Sequence, residues 1–525
     1  MIITEILARN ARMYGNETAL IERDPHSGSR VEITWQEFDE MANRIAHALI
    51  NRGVRKGDRV VQLMTNSLNW LPVYFGILRT GAWVVPLNYR FDSKTIRRCI
   101  ETAEARVLIF GPEFIERIQS EKSSIDRHVT HYIFSGEAAI MPDYAEPLHA
   151  VIANGVADSP DIKIDIIDAA GLYFTSGTTG DPKATLLTHR NLEFACYVEN
   201  SHHQQTHSDN FLLIPPLYHT GAKMHWFGNF IVGAKAVILK GADPQSILEA
   251  ISEEAVTIVW LLVPWALDIL FAIESGDVKM QNYRLAQWRM MHIGAQPVPS
   301  SLIREWIKRF PHHQYDTNYG LTECTGPGCI HLGVENRHKV GAIGKPGFDW
   351  ETAIVDADRK PVLPGKPGEL MIRGPGIMQE YYRNPEATKS VLVDGWLLTG
   401  DIAYQDADGF IWLVDRKKDV IITGGENIFP VEIEDFLQSH PKIQDVAIIG
   451  LPSFRLGEIA TAIIQLKPGQ DASREEIMEF CQKLPRYKRP RKIIFGMVPR
   501  NPTGKIEKPK LRKQFAGVSE SFQIE

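Results

Sequence analysis

Residues 173–183 read Tyr-Phe-Thr-Ser-Gly-Thr-Thr-Gly-Asp-Pro-Lys. The hydroxyls of Thr175, Ser176, Thr178 and Thr179 are interleaved with Gly177 and Gly180, and Lys183 closes the run. Glycines let backbone N–H groups come close to a phosphate, hydroxyls donate to its oxygens, and a lysine adds a point charge. The apolar residues just before, 169–174, read as a buried strand that delivers a polar loop, a usual place for phosphate contact. The spacing is not that of a Walker A loop, which needs Gly-Lys followed by Ser or Thr.

Other stretches carry groups that could serve the same ligand. In Tyr-Gly-Leu-Thr-Glu, 319–323, Gly320 can bring the backbone near a flat ligand, and Glu323 can hold Mg²⁺ beside phosphate oxygens. In Trp-Leu-Leu-Thr-Gly-Asp, 396–401, the Asp401 carboxylate follows a tight turn and can accept both hydroxyls of a ribose. His219 sits in Leu-Tyr-His-Thr-Gly, 217–221, and reads as a gate or pocket wall rather than a general base. The run Asp-Arg-Lys-Lys-Asp, 415–419, reads on its own as a solvated cationic face. Near the end, Pro-Arg-Asn-Pro-Thr-Gly-Lys-Ile, 499–506, is a shaped turn able to present a long cation, Lys505.

Together, in this order and at this spacing, these segments resemble the signatures of the acyl-adenylate-forming enzymes, the superfamily of acyl-CoA synthetases, beetle luciferases and the adenylation domains of peptide synthetases. One departure is Ala184, where the family most often has glycine. The resemblance implies that Thr175, Ser176, Gly177, Thr178, Thr179, Gly180 and Lys183 hold the triphosphate of ATP. It gives Gly294, Ala295, Tyr319, Gly320, Thr322, Asp401 and Arg416 to the rest of the nucleotide, with Tyr319 near adenine and Asp401 and Arg416 at the ribose. Glu323 becomes the magnesium ligand, and Lys505, with Glu323 and Thr175, the catalytic set. His219, Trp226, Ile293, Gly294 and Gly320 border the acyl pocket. Lys418 takes the hinge position, and Gly424, Gly425 and Glu426 face coenzyme A. The implied activity is ATP-dependent ligation of a carboxylic acid to CoA through acyl-AMP.

The apolar residues Met224, Trp226 and Phe227 suggest a closed slot suited to a medium-chain, alicyclic or aromatic acid. Two other readings compete. One is a stand-alone enzyme loading a carrier protein. The other is a nucleotide-binding regulator without catalysis, against which intact Lys183, Glu323 and Lys505 argue.

Composition fits this class. The chain has 525 residues, 44% hydrophobic and 23% charged, which is ordinary for a globular protein with more than one domain. A net charge of −6 gives no field for gripping nucleic acid. The five scattered cysteines predict neither a disulfide framework nor a metal site. His202, His203 and His207 read as a solvated loop. The most apolar stretch, 255–273, contains Pro264 and Asp268, so it reads as a strand, a turn at Pro264 and a core helix rather than a membrane span. The N-terminal residues do not resemble a secretory signal, and the expected location is cytoplasmic. A homodimer is left open.

The expected fold is α/β: a large N-terminal domain of mostly parallel sheets with helices plus a small β-rich subdomain, 1–417, then a small α+β C-terminal domain, 418–525. Thr34 is a good N-cap for a helix over 35–52, whose apolar residues recur at helical spacing before Gly53. Strands over 59–64 and 81–86 flank a helix over 70–80. A second unit runs from about 191 to 314. After 341 the strands shorten and Gly and Pro become frequent. Beyond 415 the pattern turns βαβ-like.

Overall fold

The computed structural model describes residues 1–175, 182–295, 298–423, 426–453, 455–500 and 505–515. Two large sheets organise the first part. In one, the strands Gln314–Tyr319, Met290–Gly294, Ile258–Leu262, Asn210–Leu213, Lys235–Leu239 and Thr18–Asp24 lie side by side and parallel. In the other, Ala169–Thr175, Trp83–Pro86, Arg59–Leu63, Val107–Phe110 and His131–Phe134 run parallel. Lys183–Thr188 pairs antiparallel with Ala169–Thr175 and so returns the phosphate loop to the sheet.

Helices pack between the two sheets. Every residue of Trp70–Arg79 is buried, which explains its continuous apolar sequence. Trp35–Asn51 packs beside it, with Phe38 and Phe75 meeting edge to face at 5.4 Å and Phe75 and Phe230 5.2 Å apart. Truncating one such aromatic to alanine costs about 3–5 kcal/mol. The predicted cap is present. Thr34 Oγ1 accepts from the Glu37 N–H at 3.2 Å, and the Glu37 carboxylate accepts from the Thr34 N–H at 2.7 Å. This is a reciprocal capping box. Thr34→Ala is expected to cost about 1 kcal/mol, read as a lower denaturation midpoint with activity unchanged.

One expectation is corrected here. Pro264 makes no turn: it stands in the first turn of helix Val263–Ser275, where its missing N–H costs nothing. The hairpin Thr18–Asp24 and Ser29–Thr34 joins the first of these sheets through Lys235–Leu239.

A smaller antiparallel sheet of Glu351–Val355, Gly368–Arg373, Trp396–Gln405 and Ile411–Arg416 follows. The last part has its own sheet and its own core around Ile433, Ile448, Ile464 and Ile477. Its long strands Ile443–Ser453 and Gly457–Leu466 are antiparallel, while Gly457–Leu466 and Lys492–Phe495, joined through helix Arg474–Phe480, form the parallel βαβ unit. Among the described residues no helix is long and apolar enough to cross a membrane, and the five cysteines are buried free thiols.

Candidate active site

A cleft of about 1060 Å³ opens where the end of the sheet holding Ile258–Leu262 and Gln314–Tyr319, the small antiparallel sheet and the C-terminal part meet. Thr175 ends one strand and Lys183 starts its neighbour, directly across the hairpin. Ser176, Gly177, Thr178, Thr179 and Gly180 lie outside the described residues. Lys183 Nζ sits 4.8 Å over the Tyr381 ring. The Tyr381 hydroxyl donates to Glu323 Oε1 at 2.7 Å, and burial followed by the Glu323 charge pushes its own ionisation up. Tyr381 thus links the lysine of the loop to the predicted magnesium ligand. Glu323 lies in the short helical turn Thr322–Cys324, and Thr322 Oγ1 is 3.4 Å from Thr220 Oγ1.

Asp401 is held from two sides. Tyr319 donates its hydroxyl to Oδ2 at 2.5 Å, and Arg416 Nε lies 3.3 Å from Oδ1 across the paired strands. The expected tight turn before Asp401 is absent: Gly400, at φ +73°, lies inside the strand Trp396–Gln405, where the pairing with Gly368–Arg373 shifts register. Lys505 reaches the same cleft from the C-terminal part. Burial, then repulsion by Arg416, pulls its ammonium down to about 8, while Asp401 and Glu323 pull the other way. Its turn is anchored at the base: Arg500 bridges Ile506, and its guanidinium binds Asp445 through Nε at 2.7 Å. Residues 501–504 lie outside the described set.

Lys418 lies in the turn between Ile411–Arg416 and Ile421–Thr423, where the Asp419 N–H donates to Arg416 O at 2.8 Å. Beside it, buried Asp415 accepts from the Val431 N–H at 3.0 Å, and burial raises its carboxyl to about 6. Asp435 and Ser300, the first residue of helix Ser300–Arg309, both line the cleft, and burial raises the Asp435 carboxyl. Gly424 and Gly425 lie outside the described residues. Glu426 is exposed on a hairpin strand paired with Thr423 and does not line the cleft.

The acyl side differs from the sequence reading. Helix Thr220–Ile231 is buried nearly all round, so its composition does not reveal which stripe faces the cleft. Gly221 and His225, four residues apart on one face, do so. Trp226 is rotated away into the core, against Phe230 at 5.0 Å. Ile293 is also misplaced: strand alternation sends it into the opposite core with Trp306 and Tyr315. The wall contains instead Trp260, Asn318, Ala295 and Leu321, with His219 and Gly320 as expected. Trp260 stands in the buried strand Ile258–Leu262, and its residue type alone carries no signal that it faces the cleft. Ala295 holds φ +69°, a left-handed conformation that a non-glycine residue rarely adopts. His219 caps its helix, Nδ1 accepting from the Gly221 N–H at 3.2 Å; burial, then Lys505, holds its conjugate acid down to about 3, so it is neutral.

Behind this wall the histidines expected in a solvated loop form a buried polar network. His203 donates from Nδ1 to Glu199 Oε1 and from Nε2 to Asp316 Oδ2, both at 2.7 Å. Burial opposes its charge, but the two carboxylates outweigh burial and raise it to about 10. Donors of Glu199, His203 and His292, and of His203, Asp316 and His331, cluster closely enough for a metal ion. Yet both His203 nitrogens are occupied as donors, which leaves no lone pair for a metal. His202 stacks on His331 at 3.8 Å. His207 alone resembles the expectation, half-exposed and 2.9 Å from Glu17.

Asp401, Arg416, Tyr319 and Lys505 gathered around one cleft define an adenylate-forming ligase. The AMP-binding enzyme profile matches residues 7–382, and the AMP-binding enzyme C-terminal domain matches 432–505. The chain belongs to the AMP-binding enzyme family, within the acyl-adenylate-forming superfamily of acyl-CoA synthetases. It is 31% identical to a feruloyl-CoA synthase of an Amycolatopsis species over 97% of this chain and 98% of that protein. It is also 31% identical to the long-chain-fatty-acid–CoA ligase FadD13 of Mycobacterium tuberculosis, over 93% and 94% of the two chains. Among solved structures, the anthranilate CoA ligase AuaEII in complex with anthranoyl-AMP superimposes with a TM-score of 0.89 at 27% identity, covering 98% of this chain and 97% of that one.

Proposed function

We propose that the protein condenses a small organic acid with ATP to acyl-AMP and pyrophosphate, then transfers the acyl group to coenzyme A with release of AMP. The observation that carries this reading is the meeting of Lys505, from the C-terminal part, with Arg416 and Asp401 in one cleft, close enough to Glu323 to feel its charge. The names of the relatives, feruloyl-CoA synthase and fatty-acid–CoA ligase, support CoA as acceptor.

A carboxylate is a poor acyl donor because oxide would have to leave; joined to AMP it has a good leaving group. The carboxylate oxygen attacks the α-phosphate, the bond to the pyrophosphate oxygen breaks, and no covalent nucleophile of the protein is needed. Lys505 bridges acid and phosphate, while Thr175, the loop hydroxyls and Lys183 hold the triphosphate. Asp401 and Arg416 hold the ribose. Glu323, oriented by Tyr381, offers the hard oxygens that bind Mg²⁺, which screens phosphate charge. His219, neutral, lines the carboxylate side. In the second half the thiolate of CoA attacks the acyl carbon and AMP departs. Residues 418–525 turn about Lys418 between the halves, withdrawing Lys505 and bringing the 424–426 segment to the thiol path.

Carboxylate-dependent AMP release over a panel of acids, with and without CoA, tests the reading. Release that ignores the thiol, or its absence with every acid, overturns it. Because Lys505 titrates near 8 and acts as a cation, pyrophosphate exchange is expected to hold below pH 8 and decline above it. An exchange rate flat from pH 7 to pH 9.5 would remove Lys505 from the reacting centre.

A further inference from the structure

Lys183 and Glu323 carry opposite charges and serve the same ligand, yet they are not paired with each other. Among the described residues, Lys183 Nζ meets no carboxylate and sits 4.8 Å over the face of the Tyr381 ring. Glu323 meets the hydroxyl end of the same side chain, its Oε1 accepting from Tyr381 at 2.7 Å. One buried tyrosine therefore serves a cation on its face and an anion at its tip.

The backbone holds Tyr381 in place from three directions. In strand Glu380–Tyr381, Tyr381 pairs with Thr185 of Lys183–Thr188. Lys183 is then its diagonal neighbour on the same face, within reach of an aromatic ring. Three residues earlier, the Met378 N–H donates to Glu323 O at 2.8 Å, so the same segment grips the turn that carries the carboxylate. The Tyr381 N–H donates to Thr388 Oγ1 at 3.0 Å.

A lysine on a flexible four-carbon stem near a carboxylate ordinarily folds onto it. Such a pair would neutralise both groups, and ATP would have to break it before either could act. The ring face attracts the ammonium without cancelling its charge. The hydroxyl takes one lone pair of Oε1 and leaves Oε2 to a hard cation.

We propose that Tyr381 is a positioning residue that keeps Lys183 and Glu323 apart until ATP binds, holding the lysine ready for phosphate oxygens and the carboxylate ready for Mg²⁺. This deepens the adenylation reading above and rests on it. Tyr381 itself makes no bond to the reacting atoms.

The test uses the full-length protein and reads binding rather than turnover. Calorimetry gives ATP affinity in EDTA, and electron paramagnetic resonance gives the Mn²⁺ affinity of the ATP complex, with Mn²⁺ standing in for Mg²⁺. Tyr381→Phe keeps the ring face and removes the hydroxyl. Its metal-free ATP affinity should match the wild type, while Mn²⁺ binding weakens about ten-fold, as for loss of a group that orients a metal ligand. Tyr381→Leu removes the face as well and lets Lys183 reach Glu323. ATP affinity in EDTA should then also fall, by about five-fold, the cost of breaking a partly exposed ion pair. Combining Tyr381→Leu with Glu323→Gln removes the carboxylate that captures the lysine, and metal-free ATP affinity should equal that of Glu323→Gln alone. A folding defect cannot produce that recovery. Unchanged Mn²⁺ affinity in Tyr381→Phe, unchanged ATP affinity in Tyr381→Leu, or a loss that persists in the Glu323→Gln background overturns the proposal. A wild type that binds no ATP with or without Mn²⁺ overturns the adenylation reading as well, and so is told apart from a failure of positioning alone.

Discussion

Lys505→Ala is expected to slow acyl-adenylate formation by about 10²–10³-fold, the loss typical of removing one preorganised group from a developing charge. Thioester formation from supplied acyl-AMP should change far less. The asymmetry follows from position: Lys505 lies near Asp401, Arg416 and Glu323, where the phosphates and carboxylate would react. In the second half-reaction no new charge develops at that point. Pyrophosphate exchange reads the first step, and single-turnover CoA transfer reads the second. Equal losses in both would mean that Lys505 supports the structure rather than the adenylation chemistry.

His203→Gln is expected to destabilise the fold by about 3–5 kcal/mol, the cost of breaking a buried ion pair by removing one partner. Glu199 and Asp316 would then face each other across a site with no cation between them. The pH dependence carries a sign. The folded pKa of His203 is raised to about 10 from an ordinary 6.5. Its contribution is therefore complete below pH 6.5 and lost as pH rises through 10. Asp316 is depressed by the same partners despite its burial, and its contribution is lost only on acidification below the usual carboxylate range. Denaturation midpoints of the wild type should decline from pH 6.5 toward 10, and those of His203→Gln should start lower and decline less. A variant as stable as the wild type at pH 7 would show the triad to be dispensable.

Local signals survived into the structure. Thr34 caps its helix as its residue type and the Glu37 three positions on require. The strand before the phosphate loop also lies where the chemistry of its residues puts it, whereas the tight turn expected before Asp401 is a strand. What depends on facing or on distant pairing did not survive so well. Trp226 and His225 are neighbours in sequence, but only one looks into the cleft, and a helix buried on most sides does not reveal which. Ile293 sits in a strand buried on both faces, so period-two alternation has no polar marker. Tyr381 belongs to no run of telling residues, and its partner Glu323 is 58 positions away. The N-terminal hairpin left its neighbours in sequence to pair with Lys235–Leu239, a choice set by sheet packing and not by local preference. His203 read as solvated because Asp316, 113 positions on, cannot be seen beside it in the sequence.

The clasp between Arg500 and Asp445 has a consequence for the order of events. Asp445 belongs to the long strand Ile443–Ser453, so the stem of the lysine-bearing turn is bolted to the framework of the C-terminal sheet. If the C-terminal part changes its orientation, Arg500 and Asp445 travel together and carry the base of the lysine-bearing segment away from Asp401 and Arg416. One molecule can then commit to only one half of its chemistry at a time, which makes turnover a strict alternation rather than a blend.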